Sequence, residues 1–226
     1  VVYVPYCDGS VFIGDTAIDY NGRITYHHGL QNLSAAITTL VEQFPNPSRV
    51  VVSGSSAGGY GTYSGYGVLR VALPSTEIIV FNDSGPGVQN KEATQDVQER
   101  LANWDFERLV PPSCVLCDDQ YTFLTHWAME RDKDLRAALY TYQRDGVLRF
   151  FLDLSGPGFE SLLLTSTDEL KVLTGDRFAR YFPKGSNHTV LMSNFLYEQT
   201  IDGTPLLDWL DAFLADDQDV WKDVIE

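Results

Sequence analysis

The stretch Val50–Gly61, VVVSGSSAGGYG, passes from a β-branched apolar run straight into small residues. Such a run reads as a short strand buried on both faces of a parallel sheet. The residues that follow, Tyr60 to Leu73, carry helical spacing. Gly54-Ser55-Ser56-Ala57-Gly58 therefore falls on a strand-to-helix turn and fits the pattern G-x-S-x-G. Glycines there can either cradle a phosphate or clear space around one serine. A phosphate loop needs Lys then Ser or Thr after its last glycine, and Tyr60-Gly61 stands there instead. A dinucleotide fingerprint needs its glycines after the first strand, and the spacing of Gly54, Ser56 and Gly59 does not match it. A nucleophile turn fits better. Its serine sits in a strained backbone, its neighbours must be tiny, and the following helix presents free N–H groups to an oxyanion. A glycine-rich turn without chemistry is the plain alternative.

Outward from this turn the elements alternate. Asn32 to Phe44 has helical spacing and stops before Pro45 and Pro47. TEIIVFNDSG, residues 76–85, reads as a second buried strand with a polar exit. Strand, helix, strand, helix, strand is the pattern of a parallel sheet flanked by helices, the α/β class. Val1 to Tyr6 reads as a further strand, and Asn21-Gly22 as a turn. SCVLCDD (113–119) and VLRFFLD (147–153) read as strands, and Tyr121 to Asp145 as largely helical. Ser166 to Leu173 reads as a short helix, RFARYFPKGSNHTVL (177–191) as strand then loop, and PLLDWLDAFL (205–214) as an amphipathic helix. Asp216 to Glu226 reads as a solvated acidic tail or an end fragment of helix. No repeat or low-complexity linker divides the 226 residues, which suits one domain.

Composition excludes several classes. Hydrophobic residues make up 44%, enough for a full core. The formal net charge is -15 with no basic stripe, which argues against nucleic-acid binding and against docking on a bare anionic membrane. No apolar run approaches the ~20 residues of a membrane span. A chain that opens on VVYVPYC, without an initiating methionine, is expected to lack an upstream segment and any targeting signal in it. Cys114 and Cys117 form C-x-x-C, but no second ligand pair completes a zinc site, and thioredoxin-like chemistry belongs earlier in its fold. A local disulfide or two buried thiols is the expected state. Asn32, Asn82 and Asn187 head chance glycosylation sequons.

A serine hydroxyl needs an imidazole to take its proton and a carboxylate to orient that imidazole. On a strand-to-helix elbow the chain order is Ser, acid, His. His27 and His28 precede the serine, and His126 falls in a helical stretch where a half-buried structural role is the default. His188, in the polar loop GSNHTVL, is the candidate base for Ser56. The acid should follow a strand between them. Asp118 or Asp119 ranks first and Asp153 second, while Asp83 comes earlier than the usual position.

The assembled motifs resemble the pectin acetylesterase and Notum family of serine hydrolases. VPYCDGSVFIGD is similar to its Y-C-D-G-x-x-F-x-G-D segment, GSSAGG to its nucleophile turn, and HHGLQNLSAAITTL to the segment before it. CDDQYTF resembles its acidic motif, GSNHTVL its histidine loop and IDGTPLLDWLDAFL its closing segment. The resemblance implies an α/β-hydrolase fold and a cofactor-free, metal-free serine esterase, secreted or periplasmic. Its substrates would be acetyl or other short acyl esters, on a polysaccharide such as pectin or on small molecules. Ser56 would be the nucleophile, His188 the base and Asp118 the acid, with Asp119 following from a one-residue slide. The Ala57 N–H would give one oxyanion bond. The family's other oxyanion donors lie on a glycine-rich segment upstream of Val1, where a partner for Cys7 would also lie. Rival readings are a broad esterase, lipase or polyester hydrolase, a protease or amidase, and a non-catalytic carbohydrate-binding relative.

Overall fold

The computed structural model describes all 226 residues, Val1–Glu226. Its first elements are the hairpin strands β1 (Thr16–Tyr20) and β2 (Arg23–His27). Asn21 and Gly22 both take positive φ, 56° and 87°, the geometry a two-residue hairpin turn requires. Helix α1 (Gly29–Gln43) ends before Pro45. Then come β3 (Arg49–Ser55), α2 (Ala57–Ala72), β4 (Glu77–Asp83), α3 (Gln95–Asn103) and α4 (Leu124–Arg131). The second half runs β5 (Arg136–Tyr140), α5 (Gly146–Phe151), α6 (Gly156–Thr174), β6 (Phe178–Phe182) and α7 (Phe195–Glu198). It closes with the small hairpin β7 (Thr200–Ile201) and β8 (Thr204–Pro205), α8 (Leu206–Ala215) and β9 (Val224–Ile225).

The central sheet has order β3-β4-β5-β6-β9, and every pair is parallel. Strand residues alternate between its two faces. On one face Ile79, Phe81, Ala138, Tyr140, Ala179 and Tyr181 pack against α8 and the tail residue Trp221. On the other, Ala137, Leu139, Phe178 and Phe182 pack against α4 and α6, and Ile78 packs against α1 and α2. None of the helices is long and apolar enough to cross a membrane.

Several sequence expectations change. Val1 to Tyr6 is not a strand: no other strand pairs with it, and an extended segment becomes a strand only through a ladder. β3 is not buried on both faces: it pairs with β4 alone, and Val51 is 46% exposed. SCVLCDD is a short 3-10 turn closed by the Cys114–Cys117 disulfide. The Cα atoms of that pair are 5.3 Å apart, whereas three strand steps would span ~10 Å. The stretch read as helix to Asp145 contains β5, whose Arg, Ala and Leu favour helix in isolation but are claimed by the centre of the sheet. VLRFFLD is helix α5 followed by a turn, capped by Asp145. Helix α6 begins ten residues before Ser166, because Ser155 caps it and Pro157 suits its first turn. The acidic tail is not a solvated end: it buries Trp221 completely and adds β9 beside β6.

Candidate active site

A parallel sheet delivers the C-terminal ends of its strands to one rim, where the connecting loops can meet. Ser56 follows β3, Asp83 ends β4, Asp145 follows β5 and His188 follows β6, so all four sit at that rim.

The serine turn is built by close backbone approach. Ser56 has φ 57° and ψ -114°, a region side-chain-bearing residues avoid, at an expense of about 1–3 kcal/mol. A Cβ on Gly54 would collide with the Gly58 backbone. One on Gly59 would lie 2.8 Å from the Asp83 carbonyl and from the Gly85 nitrogen. Asn82 secures this contact from below. Its amide donates to the Gly59 carbonyl (3.0 Å) and the Gly85 carbonyl (2.8 Å), and its oxygen accepts the Gly85 N–H (2.8 Å). A buried Asn82 so engaged cannot carry a glycan. The Ser56 N–H donates to the Asp83 carbonyl at 2.8 Å. Ser56 remains half-buried. Ala57 opens α2, where the first N–H groups of a helix have no partner within it.

His188 meets a carboxylate, but not one the sequence put forward. Its Nδ1 is 2.8 Å from Oδ2 of Asp145, a wholly buried residue. The other oxygen of Asp145 accepts the N–H groups of Val147 and Leu148, both at 3.0 Å, as cap of α5. Three backbone bonds zip the two loops together. Gln143 N–H donates to the Pro183 carbonyl (3.0 Å), Arg144 to Gly185 (3.0 Å) and Gly146 to Ser186 (2.9 Å). Nε2 of His188 is buried and has no hydrogen-bond partner.

Asp118, Asp119 and Asp153, the acids expected from the sequence, are exposed and make no contact with His188. Asp118 lies in the disulfide-closed 3-10 turn, and Asp153 follows α5 rather than a strand. The sequence does not single out Asp145, because its segment has helical composition. The readable signal was an Asp placed before Gly146 and an apolar run, as a helix cap is. His27 is structural, bonded to the Asp8 carbonyl (2.9 Å) and the Tyr20 hydroxyl (3.1 Å). His126 lies on α4 beside Glu130. The chain has no cluster of His, Cys, Asp and Glu able to hold a metal ion. A large apolar cavity of about 540 Å³ lies between α2 and α4, lined by Tyr63, Tyr66 and Trp127, and includes none of Ser56, Asp145 and His188.

A parallel sheet with a strained serine turn at its C-terminal rim defines the α/β-hydrolase fold. The chain belongs to the pectinacetylesterase family, whose profile matches residues 1–114 and so takes in Ser56. Among solved structures it is similar to the Wnt deacylase Notum from Drosophila, with a TM-score of 0.68 and 16% identity. The likeness covers 99% of this chain and 70% of that one. No curated protein sequence matches the chain.

Proposed function

We propose that the chain is a serine esterase that removes short acyl groups through an acyl-enzyme, with Ser56, His188 and Asp145 as its triad. One observation carries this reading. On the rim that holds the strained Ser56, an imidazole has one nitrogen fixed by a buried carboxylate and the other buried without a partner. A structural histidine would be bonded at both nitrogens, as His27 is.

In the proposed reaction Ser56 Oγ attacks the ester carbonyl while His188 Nε2 takes its proton. Asp145 holds the tautomer with the proton on Nδ1 and steadies the imidazolium. The Ala57 N–H donates to the oxyanion. The tetrahedral intermediate collapses, His188 protonates the departing alcohol, and water attacks the acyl-enzyme by the same route to release the acid. The family points to acetyl esters on a polysaccharide as substrate. The acidic chain favours a neutral acylated polymer or small ester over an anionic one. The Cys114–Cys117 disulfide supports an oxidising, extracytoplasmic setting.

The test is turnover of a nitrophenyl acetate and labelling by a fluorophosphonate. The wild type is expected to label at Ser56 and to hydrolyse the ester. Ser56→Ala should lose labelling and at least ~10³-fold in kcat. Unchanged turnover in Ser56→Ala would overturn the proposal.

A further inference from the structure

Asp83 is fully buried, yet its partners are the Ser55 and Ser84 hydroxyls and backbone N–H groups rather than a Lys or Arg. Ser55 Oγ donates to its Oδ2 at 2.6 Å. The Val190 N–H lies 3.1 Å from each carboxylate oxygen, and the Leu191 N–H donates at 3.0 Å. The Asp83 carbonyl meanwhile accepts the Ser56 N–H. One residue thus grips the serine turn with its backbone and the histidine loop with its side chain.

Between His188 and these two N–H groups stands Thr189, at φ 61°. A β-branched residue in the left-handed region is an outlier that relaxes unless its surroundings hold it. The bonds that immediately follow Thr189 are the ones Asp83 makes. Hydrogen bonds to an ionised acceptor are strong enough to do this.

We infer that Asp83 is a positioning residue that clamps the His188 loop onto the β3–α2 turn, setting where the imidazole stands relative to Ser56. The inference rests on the proposed Ser56–His188 chemistry. The titratable groups around the pair are Asp145 on Nδ1 of His188, Tyr60 beside Asp145, and Tyr140 beside Asp83. Burial pushes both tyrosines well above their ordinary range, so they stay neutral.

Asp83→Asn turns an NH2 group toward backbone donors and removes the charge. For a nitrophenyl acetate, kcat should fall about 10²-fold while KM stays nearly constant, as for a misplaced catalytic group. Adding Thr189→Gly, which accepts the positive φ without strain, should restore part of the lost kcat. Ser55→Ala removes one bond only and should lower kcat about fivefold with the same signature. A folded Asp83→Asn with wild-type kcat overturns the inference. If Asp83→Asn does not fold, Ser55→Ala decides, and unchanged kcat there overturns it. Fluorophosphonate labelling separates the two levels. Absence of label on wild-type Ser56 sinks the esterase reading itself, whereas normal wild-type labelling with an equal rate in Asp83→Asn sinks only the role of Asp83.

Discussion

At the scale of single residues, the proposed triad turns on which carboxylate holds His188, and Asp145 is the one in contact with its Nδ1. Asp145→Asn should lower kcat by about 10⁴-fold, because an amide favours the wrong histidine tautomer. The exposed Asp118→Asn should leave ester turnover at the wild-type level; steady-state kinetics on both variants checks the assignment. In the sequence Ser56 stands out by its tiny neighbours, and His188 as the one histidine in a late polar loop. Asp145 does not, since carboxylates are common in this chain and only the meeting of two loops selects one. Asp83 gives a second test, by thermal unfolding. Burial holds its carboxyl above the ordinary 3.8, although its hydrogen bonds pull the other way. The folded state therefore binds that proton more tightly than the unfolded chain. The resulting stabilisation is full below the ordinary value and lost as pH rises through the raised one. The Tm of the wild type relative to Asp83→Asn should accordingly be higher at about pH 4 than at about pH 7. A pH-independent difference would show that burial does not perturb this carboxyl.

At the scale of elements, the sequence is clearest where local chemistry and tertiary demand agree. The helices α1, α2 and α8, the strand β4 and the Asn21-Gly22 turn all appear where periodicity and turn residues put them. It is least clear where they conflict. Arg136–Tyr140 is composed like helix but lies third in a five-stranded sheet, between β4 and β6. Phe150 and Phe151 look like strand residues, yet they belong to a helix started by the Asp145 cap and remain exposed. The glycines of α2 are the reverse case. They are poor helix formers, and at Gly59 the reason is spatial: β4 and the loop after it come too close for a side chain. Gly59→Ala should therefore destabilise rather than gain from alanine's better propensity. The expected loss is about 1–3 kcal/mol, typical of an overpacked contact, read as a lower urea midpoint. A higher midpoint would mean that helix and strand can separate to admit a methyl group.

At the scale of the whole molecule, the last residues brace the rim from behind. Gln143 donates to the carbonyls of Phe182 (3.0 Å) and Glu226 (2.7 Å), which ties the Asp145 loop to both β6 and the chain end. Arg180, nearly inaccessible, is held by Asp168 and Asp223 on either side of the same strand. A tail so rich in acids suggests solvation, and only the three-dimensional packing of Trp221 shows otherwise. The opposite border of the sheet is different. Within residues 1–226 β3 pairs with β4 alone, and Val51 beside that border is accessible. Such a border is a template for strand addition between copies, which natural proteins blunt with lysine. Concentrated solutions should thus scatter light earlier than the charge of -15 alone would suggest, and Val51→Lys should delay that onset while leaving ester hydrolysis intact. In the 226-residue chain, colloidal behaviour then depends on the open flank of the strand that delivers Ser56.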